Sequence, residues 1–171
     1  MDSISLDAAE VMTGISRRTL WRRVADGALL STEKDGRGRT MLALAGLLEP
    51  MQDCTGLVFS AQDLAVLCQA DAGDAQAQAD VGAQLYAAFS ARKAPPPPSH
   101  AAALYWLHLA AEQGNCDAMH WLSTAAAQAR TEKGNHEALM WLAKAAAHGH
   151  RIAQMQMEEM LGRCVPPAPL R

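Results

Sequence analysis

An arginine-rich stretch near the start of the chain carries the side chains best suited to hold phosphate or to read base edges. It runs Ser-Arg-Arg-Thr-Leu-Trp-Arg-Arg-Val-Ala-Asp-Gly over residues 16–27. On a helix, Leu20 and Val24 share one face, and Arg18 and Arg22 point the opposite way. A guanidinium pairs with a guanine edge or a phosphate through two parallel hydrogen bonds. The spacing therefore predicts a helix with an apolar back and a cationic front that suits a DNA major groove, with these two arginines reaching bases.

The side chains around these two arginines complete the candidate nucleic-acid contacts. Trp21 either packs along a DNA backbone or covers the seam between this helix and the next element, and the second is favoured. Thr19, Arg37 and Arg39 are better suited to phosphates. The full candidate set is Arg17, Arg18, Thr19, Trp21, Arg22, Arg23, Lys34, Arg37 and Arg39. The alternative is an ordinary solvated helix face bridged to neighbouring carboxylates.

Charge is unevenly distributed along the chain. The net charge is −3, yet residues 16–40 hold seven basic and three acidic side chains, a net +4, which leaves −7 on the rest. A local basic block on an acidic protein is typical of localised phosphate contact, and the acidic remainder opposes indiscriminate coating of nucleic acid. There is no signal peptide and no apolar run long enough to cross a bilayer, so we expect a cytoplasmic protein without membrane contact.

The other reactive side chains form no catalytic or metal-binding pattern. There is no phosphate-binding loop, no nucleophile elbow and no convincing carboxylate pair. Cys116 and His120 are four residues apart but lack an orienting third group. His148 and His150 lack a further ligand at metal-site spacing. We therefore expect no enzymatic activity, no cofactor and no metal, and reduced thiols at the four widely spaced cysteines, Cys54, Cys68, Cys116 and Cys164.

Turn and cap residues divide the N-terminal region into short elements. Ser5 and Ser16 are N-cap residues for two helices, and Gly14 is suited to end the first in a left-handed turn. Asp35-Gly36 is a strong hairpin signal. The predicted order is a helix over 6–13, the arginine helix, strands over 28–32 and 39–43, and a helix around 45–52.

This order resembles the small MerR/excisionase-type helix-turn-helix modules over about Ile4 to Leu48. The matching stretches are Ser-Leu-Asp-Ala-Ala-Glu at 5–10, Gly-Ile-Ser-Arg-Arg-Thr-Leu at 14–20 and Asp-Gly-Ala-Leu at 26–29. The resemblance implies a winged helix-turn-helix that binds duplex DNA. It implies that residues 17–23 lie on the reading helix and that residues 34–39 form the wing.

The second part of the chain repeats itself. Ala-Leu-Tyr-Trp-Leu-His-Leu-Ala-Ala-Glu-Gln-Gly at 103–114 returns 35 positions later as Ala-Leu-Met-Trp-Leu-Ala-Lys-Ala-Ala-Ala-His-Gly at 138–149. Each closing glycine has an alanine four residues on, in the pairs Gly73 and Ala77, Gly114 and Ala118, and Gly149 and Ala153. The first interval is longer because it holds a proline run at 94–99. Paired amphipathic helices at this period predict an α-solenoid whose core holds Trp106, Trp121 and Trp141.

Residues 60–161 resemble Sel-one-like repeats, which are relatives of tetratricopeptide repeats. The residues that carry the match are Ala77, Gly82, Leu85, Tyr86, Trp106, Ala110, Ala111, Gly114, Ala118, Leu122, Trp141, Ala145, Ala146 and Gly149. The second repeat departs from the family at Ser123 and Ala127. A helix at 152–161 is expected to cap the array with Ala153, Met157, Met160 and Leu161. A methionine-rich end is also typical of an adaptable docking surface.

The predicted fold is mainly α: a small winged helix-turn-helix with a short β-hairpin, plus an α-solenoid of about two and a half helical-hairpin repeats. The expected domains are 1–52, a linker at 53–60, repeats at 61–162 and a proline-rich tail at 163–171. The function expected is that of a transcriptional regulator that binds duplex DNA as a homodimer, with the repeat domain mediating dimerisation or binding a partner protein. The alternative is an adaptor that uses the helix-turn-helix for docking or dimerisation without binding DNA.

Overall fold

The computed structural model describes residues 2–91 and 99–164, which are mainly helical with a small three-stranded antiparallel sheet. The elements are β1 Ser3–Ser5, α1 Leu6–Thr13, α2 Arg17–Ala25, β2 Ser31–Thr32, β3 Met41–Ala43, a 3₁₀ turn Leu44–Gly46, α3 Leu48–Thr55, α4 Ala61–Ala72, α5 Ala75–Ser90, α6 Ser99–Glu112, α7 Cys116–Gln128, α8 Glu132–Ala147 and α9 Arg151–Cys164. The proline run at 94–98 and the tail from 165 lie outside the described residues. The tail was expected from 163, but α9 continues through Cys164.

The chain divides into two compact units, residues 1–110 and 111–171. The linker expected at 53–60 begins inside α3, and α4 and α5 belong to the same unit as the N-terminal elements. Among the residues that the structure describes, no helix is both long enough and apolar enough to span a membrane.

Local capping explains where the first two helices begin and end. The Ser5 Oγ accepts the Ala8 amide at 3.2 Å, and the Ser16 Oγ accepts the Thr19 amide at 3.4 Å. Gly14 has a φ of +66°, the left-handed conformation that favours glycine. The bounds predicted for α1 and the caps predicted for both helices are confirmed.

The sheet places β3 between β1 and β2, and both pairings are antiparallel. The predicted hairpin is confirmed as β2 and β3, with Thr32 opposite Met41, although both strands are shorter than expected. Strand β3 is shorter because the Asp35 carboxylate organises the connection, accepting the amides of Arg37 at 3.0 Å and Arg39 at 2.8 Å. Strand β2 begins later than expected because the amides of Ala28 and Leu29 donate to the Arg23 carbonyl at the end of α2. Strand β1 was not predicted, because its three residues, which end at the cap Ser5, are too few to show the alternation of polar and apolar residues that marks a strand.

The core of the first unit joins the N-terminal helices to α6. Ile4, Met12 and Leu20 are fully buried. Trp106 of α6 is buried as predicted, and its indole nitrogen donates to the Met12 sulfur at 3.3 Å. This contact places a tryptophan of the predicted repeat region within the core that supports α1 and α2.

The glycine–alanine pairs noticed in the sequence are helix-to-helix turns that recur in the structure. Gly73, Gly114 and Gly149 all have positive φ, and the residue after each glycine caps the next helix. In each case the cap side chain accepts a hydrogen bond from the backbone amide of the predicted alanine. The Ala77 amide donates to Asp74 at 2.8 Å, the Ala118 amide to Asn115 at 2.9 Å, and the Ala153 amide to His150 at 3.1 Å. All three alanines are buried, so small size and cap geometry explain the pattern.

The second unit consists of α7, α8 and α9, with α8 packed against both others. Gly134 lies so close to α7 that an added Cβ would approach the Ala126 carbonyl oxygen to 2.7 Å. Trp121 and Trp141 are half-buried rather than fully enclosed. The expectation that Met160 and Leu161 cover the array is wrong, since both are exposed while Ala153 carries the contact with α8.

Candidate nucleic-acid interface

Helix α2 directs its four arginines to three sides. Arg17 pairs with two carboxylates of α1. Its backbone amide and its Nε donate hydrogen bonds to the Glu10 carboxylate at 3.1 and 3.2 Å, and its guanidinium contacts Asp7. Arg23 lines a cavity of about 470 Å³ together with Glu49 and Asp53 of α3. Arg17 is therefore paired with carboxylates of α1, whereas Arg23 is exposed and takes part in none of the ion pairs found within the described residues.

The remaining two arginines lie on the outer face of α2 with Trp21. Arg18, Trp21 and Arg22 are exposed; the two arginines lie opposite the fully buried Leu20, and Trp21 lies at the side of the helix next to Arg18. The ion pairs and hydrogen bonds found within the described residues include none from the side chains of Arg18 and Arg22. We call Arg18, Trp21 and Arg22 the outer face of α2.

Trp21 differs from its favoured interpretation. It was expected to cover a seam between the helix and the hairpin, yet its side chain is 47% exposed. The reason is helical geometry: position 21 is three residues from Arg18, so Trp21 lies beside Arg18 and to the side of the buried Leu20. Thr19 is also committed locally, because its hydroxyl accepts the Ser16 hydroxyl at 3.2 Å.

Arg39 was expected to contact phosphate, but the structure places it in an internal ion-pair network. Its Nε donates to Asp35 Oδ2 at 2.7 Å, its Nη1 to Asp71 Oδ1 at 2.9 Å and its Nη2 to the Asp71 carbonyl at 2.9 Å. The Asp71 side chain is only 4% exposed and also accepts the amide and hydroxyl of Ser5 at 2.7 and 2.6 Å. The network ties the β2–β3 connection and β1 to the end of α4.

The charges of this network shift the pKa values of two of its members. Burial works to lower the pKa of Arg39, but the hydrogen bond to Asp35 and the Asp71 charge outweigh it and raise that pKa. Burial works to raise the pKa of Asp35, but hydrogen bonds from Arg39 and from the amides of residues 37 and 39 lower it. Both side chains are held in their charged forms.

Two further residues of the hairpin connection were candidates for phosphate contact. Arg37 donates from Nη2 to the Ala72 carbonyl at 3.0 Å, and its guanidinium covers Gly73. A cation is favoured there because carbonyls at the end of a helix lack partners and carry partial negative charge. Lys34 is exposed. Arg37 is also exposed, but its guanidinium is hydrogen-bonded to the end of α4, whereas the Lys34 side chain takes part in none of the ion pairs found within the described residues.

The outer face of α2 has the dimensions of a groove-reading surface. Arg18 and Arg22 are one helical turn apart, about 6 Å along the axis. Base pairs follow each other at about 3.4 Å, so the two guanidinium groups reach positions about two steps apart. The indole beside Arg18 offers an apolar surface of the kind that contacts a thymine methyl group.

A polar cluster in the second unit was not predicted. The rings of His120 and His150 stack at 4.3 Å between centroids, His150 Nε2 lies 3.5 Å from Asp117, and His120 Nε2 lies 3.3 Å from Gln156. Burial and the neighbouring His150 lower the pKa of His120. Sequence spacing pairs His148 with His150 instead, because His120 is 30 positions away from His150 and only the fold brings the two rings together.

Within residues 2–91 and 99–164, no group of three or more histidine, cysteine, aspartate or glutamate side chains is arranged to hold a metal ion. Cys54, Cys68 and Cys116 are free thiols. Cys116 lies 3.8 Å from the Asp117 carboxylate rather than in a nucleophile–base arrangement with His120.

Comparison with protein-family models, with curated proteins and with solved structures found no match to this chain. The class that the structure defines is a mainly helical protein with a small three-stranded antiparallel sheet.

Proposed function

We propose that this protein is a DNA-binding transcriptional regulator whose helix α2 reads the major groove. The observation that carries the proposal is the outer face of α2, where Arg18 and Arg22 project away from the fully buried Leu20 and the exposed Trp21 lies beside Arg18. Arg17 and Arg39 are paired internally, so base reading is assigned to Arg18 and Arg22, and phosphate contact to Lys34 of the β2–β3 connection.

In this proposal residues 3–43 act as a winged helix-turn-helix, and the β2–β3 connection is a wing held in place by α4. The helical hairpins that follow act as Sel-one-like repeats that bind a partner protein, a second copy of the chain, or both. The recurring glycine, cap and buried alanine at 73–77, 114–118 and 149–153 support this repeat assignment. Regulation then works by occluding a promoter or by recruiting a partner to it.

The test is a fluorescence anisotropy titration of the full chain against duplex DNA at several salt concentrations. Binding through phosphate contacts should weaken steeply with salt, with a log–log slope that reflects about four to six released counterions. Absence of binding, or binding that ignores salt, contradicts the proposal and favours an adaptor that uses the outer face of α2 to dock on a protein.

A matched set of variants localises the contact. Arg18→Ala and Arg22→Ala should each weaken binding to a selected duplex by about tenfold or more and relax its sequence preference. Lys133→Ala removes one positive charge from an exposed position on α8 and should leave affinity unchanged. Equal effects of all three substitutions would remove α2 as the reading helix.

A further inference from the structure

The end of the second unit exposes an unusual amount of apolar surface. Ten large hydrophobic side chains are exposed within the described residues, and six of them lie on α8 and α9: Leu139, Met140, Ile152, Met155, Met160 and Leu161. Ile152 is 56% exposed and Met155 is 67% exposed. On α9 these side chains point in different directions: Met155 lies on the side away from the buried Ala153, Ile152 lies beside Met155, and Met160 lies on the same side as Ala153.

Four residues line the outer side of α9, with a basic side chain toward one end and an acidic side chain toward the other. Arg151, Met155, Glu158 and Gly162 follow one another at intervals of four, three and four residues, so they share one side of the helix. That side is opposite the buried Ala153, which faces α8. We call these four residues the outer stripe of α9.

Both charged ends of the stripe are available. Arg151 and Glu158 are exposed, and neither takes part in the ion pairs found within the described residues. Gly162 has open space where a Cβ would stand, so another helix is able to approach its backbone closely. The stripe thus has a basic end, an apolar centre, and an acidic end followed by a small residue.

We propose that the outer stripe of α9 is a homodimer interface in which a second copy of the same helix packs antiparallel across a two-fold axis. The axis passes near Met155, and Arg151 of each copy lies opposite Glu158 of the other. A parallel pair would bring Arg151 against Arg151 and Glu158 against Glu158, so the charges select the antiparallel arrangement. This interface would form the dimer that the proposed regulator uses, and in that respect the inference rests on the proposed function. Its test requires no DNA, so the two proposals can fail separately.

Helix α9 spans 14 residues, about 21 Å, and this length sets the strength expected of the interface. A contact of one helix pair is at the small end of specific interfaces, so the dimer is expected to dissociate at micromolar concentration. Ile152 flanks the stripe and adds apolar area on each copy.

The experiment is sedimentation velocity of the full chain over a concentration series, with charge-swapped variants. Arg151→Glu or Glu158→Arg alone places like charges opposite each other and should raise the dimer dissociation constant by about tenfold or more. The double variant carrying both substitutions restores opposite charges and should dimerise like the original chain. An equimolar mixture of the two single variants should form heterodimers more readily than either forms homodimers.

A matched control is Lys133→Glu, a charge reversal at an exposed position outside the stripe, which should not alter dimerisation. Far-UV circular dichroism confirms that each variant keeps its helices; an acidic residue at position 151 is compatible with the start of a helix. The proposal is overturned if the original chain stays monomeric at high micromolar concentration. It is equally overturned if the single variants dimerise normally or if the double variant fails to recover.

Discussion

At the scale of single residues, two adjacent side chains on α2, Leu20 and Trp21, differ in burial. Leu20 is fully buried, whereas Trp21 is 47% exposed beside Arg18 and Arg22. A buried aliphatic side chain contributes to stability through packing, and in the proposed function the exposed indole contributes to DNA recognition. The two positions therefore separate folding from binding.

The first prediction uses this pair. Leu20→Ala should lower the free energy of unfolding by about 2 to 5 kcal/mol, because it leaves a cavity in the core. Trp21→Ala should change that free energy by less than about 0.5 kcal/mol and yet weaken duplex binding. Urea denaturation and anisotropy titration measure the two effects. A Trp21→Ala variant that binds DNA unchanged would exclude the indole from the interface.

The second prediction concerns the buried carboxylate of Asp71. Removing it in Asp71→Ala leaves Arg39 with Asp35 alone and leaves the Ser5 amide without its acceptor. Breaking a buried pair by deleting one partner costs about 3 to 5 kcal/mol, and the partial exposure of Arg39, 27%, places the expected loss near the lower value. Thermal and urea unfolding measure it. Asp80→Ala, at an exposed position on α5, is the control, and equal stability of the two variants would refute the role of the network.

At the scale of elements, the turn before α9 is chemically different from its two counterparts. Asp74 and Asn115 cap α5 and α7 with oxygen, whereas His150 caps α9 with Nδ1. An imidazole nitrogen accepts a hydrogen bond only when it is unprotonated. The start of α9 is therefore held by a ring nitrogen where the two earlier turns use an oxygen, and the same His150 ring stacks on His120.

The third prediction is a pH dependence of stability. Because the pKa of His120 is lowered on folding, the unfolded chain binds a proton near pH 6.5 that the folded chain does not bind. Stability should therefore fall as the pH drops below about 6.5 and level off once His120 titrates in the folded state. His120→Gln should flatten this profile in thermal unfolding between pH 8 and 5. His136→Gln, at an exposed histidine on α8, should not; identical profiles for both variants would contradict the assignment.

At the scale of the whole molecule, charge separates the arginine-rich region from the rest. The block at 16–40 carries +4 and the remaining residues carry −7. An acidic remainder weakens binding to DNA of arbitrary sequence, because only a small part of the surface attracts phosphate. Specific binding then depends on base contacts and on the use of two copies.

The fourth prediction combines the two proposals. A dimer should bind a duplex with two symmetric half-sites more tightly than one with a single half-site. Arg151→Glu should remove that advantage and leave the single-site affinity unchanged, since α9 is not part of the reading surface. Anisotropy titrations with the two duplexes measure both quantities. An equal loss on both duplexes would show that the substitution acts on DNA binding itself rather than on dimerisation.

Much of the local structure was predictable from the sequence. The caps at Ser5 and Ser16, the turn at Gly14 and the hairpin signal at Asp35 act between residues at most four apart. Their hydrogen bonds depend on residue type and spacing alone, so the helix starts and the hairpin could be placed without knowing the rest of the fold. The same holds for the side of α2 that carries Arg18 and Arg22.

Only the tertiary structure decided which charged residues are available for binding. Arg39 pairs with Asp71, 32 positions away, and Arg37 with the carbonyl of residue 72, 35 positions away, so neither partner is visible in a local pattern. The exposure of Met155 likewise depends on whether another helix packs outside α9. Short-range hydrogen bonds determine where elements begin and end, whereas long-range packing determines which of their faces remain free, and the function of this protein depends on those free faces.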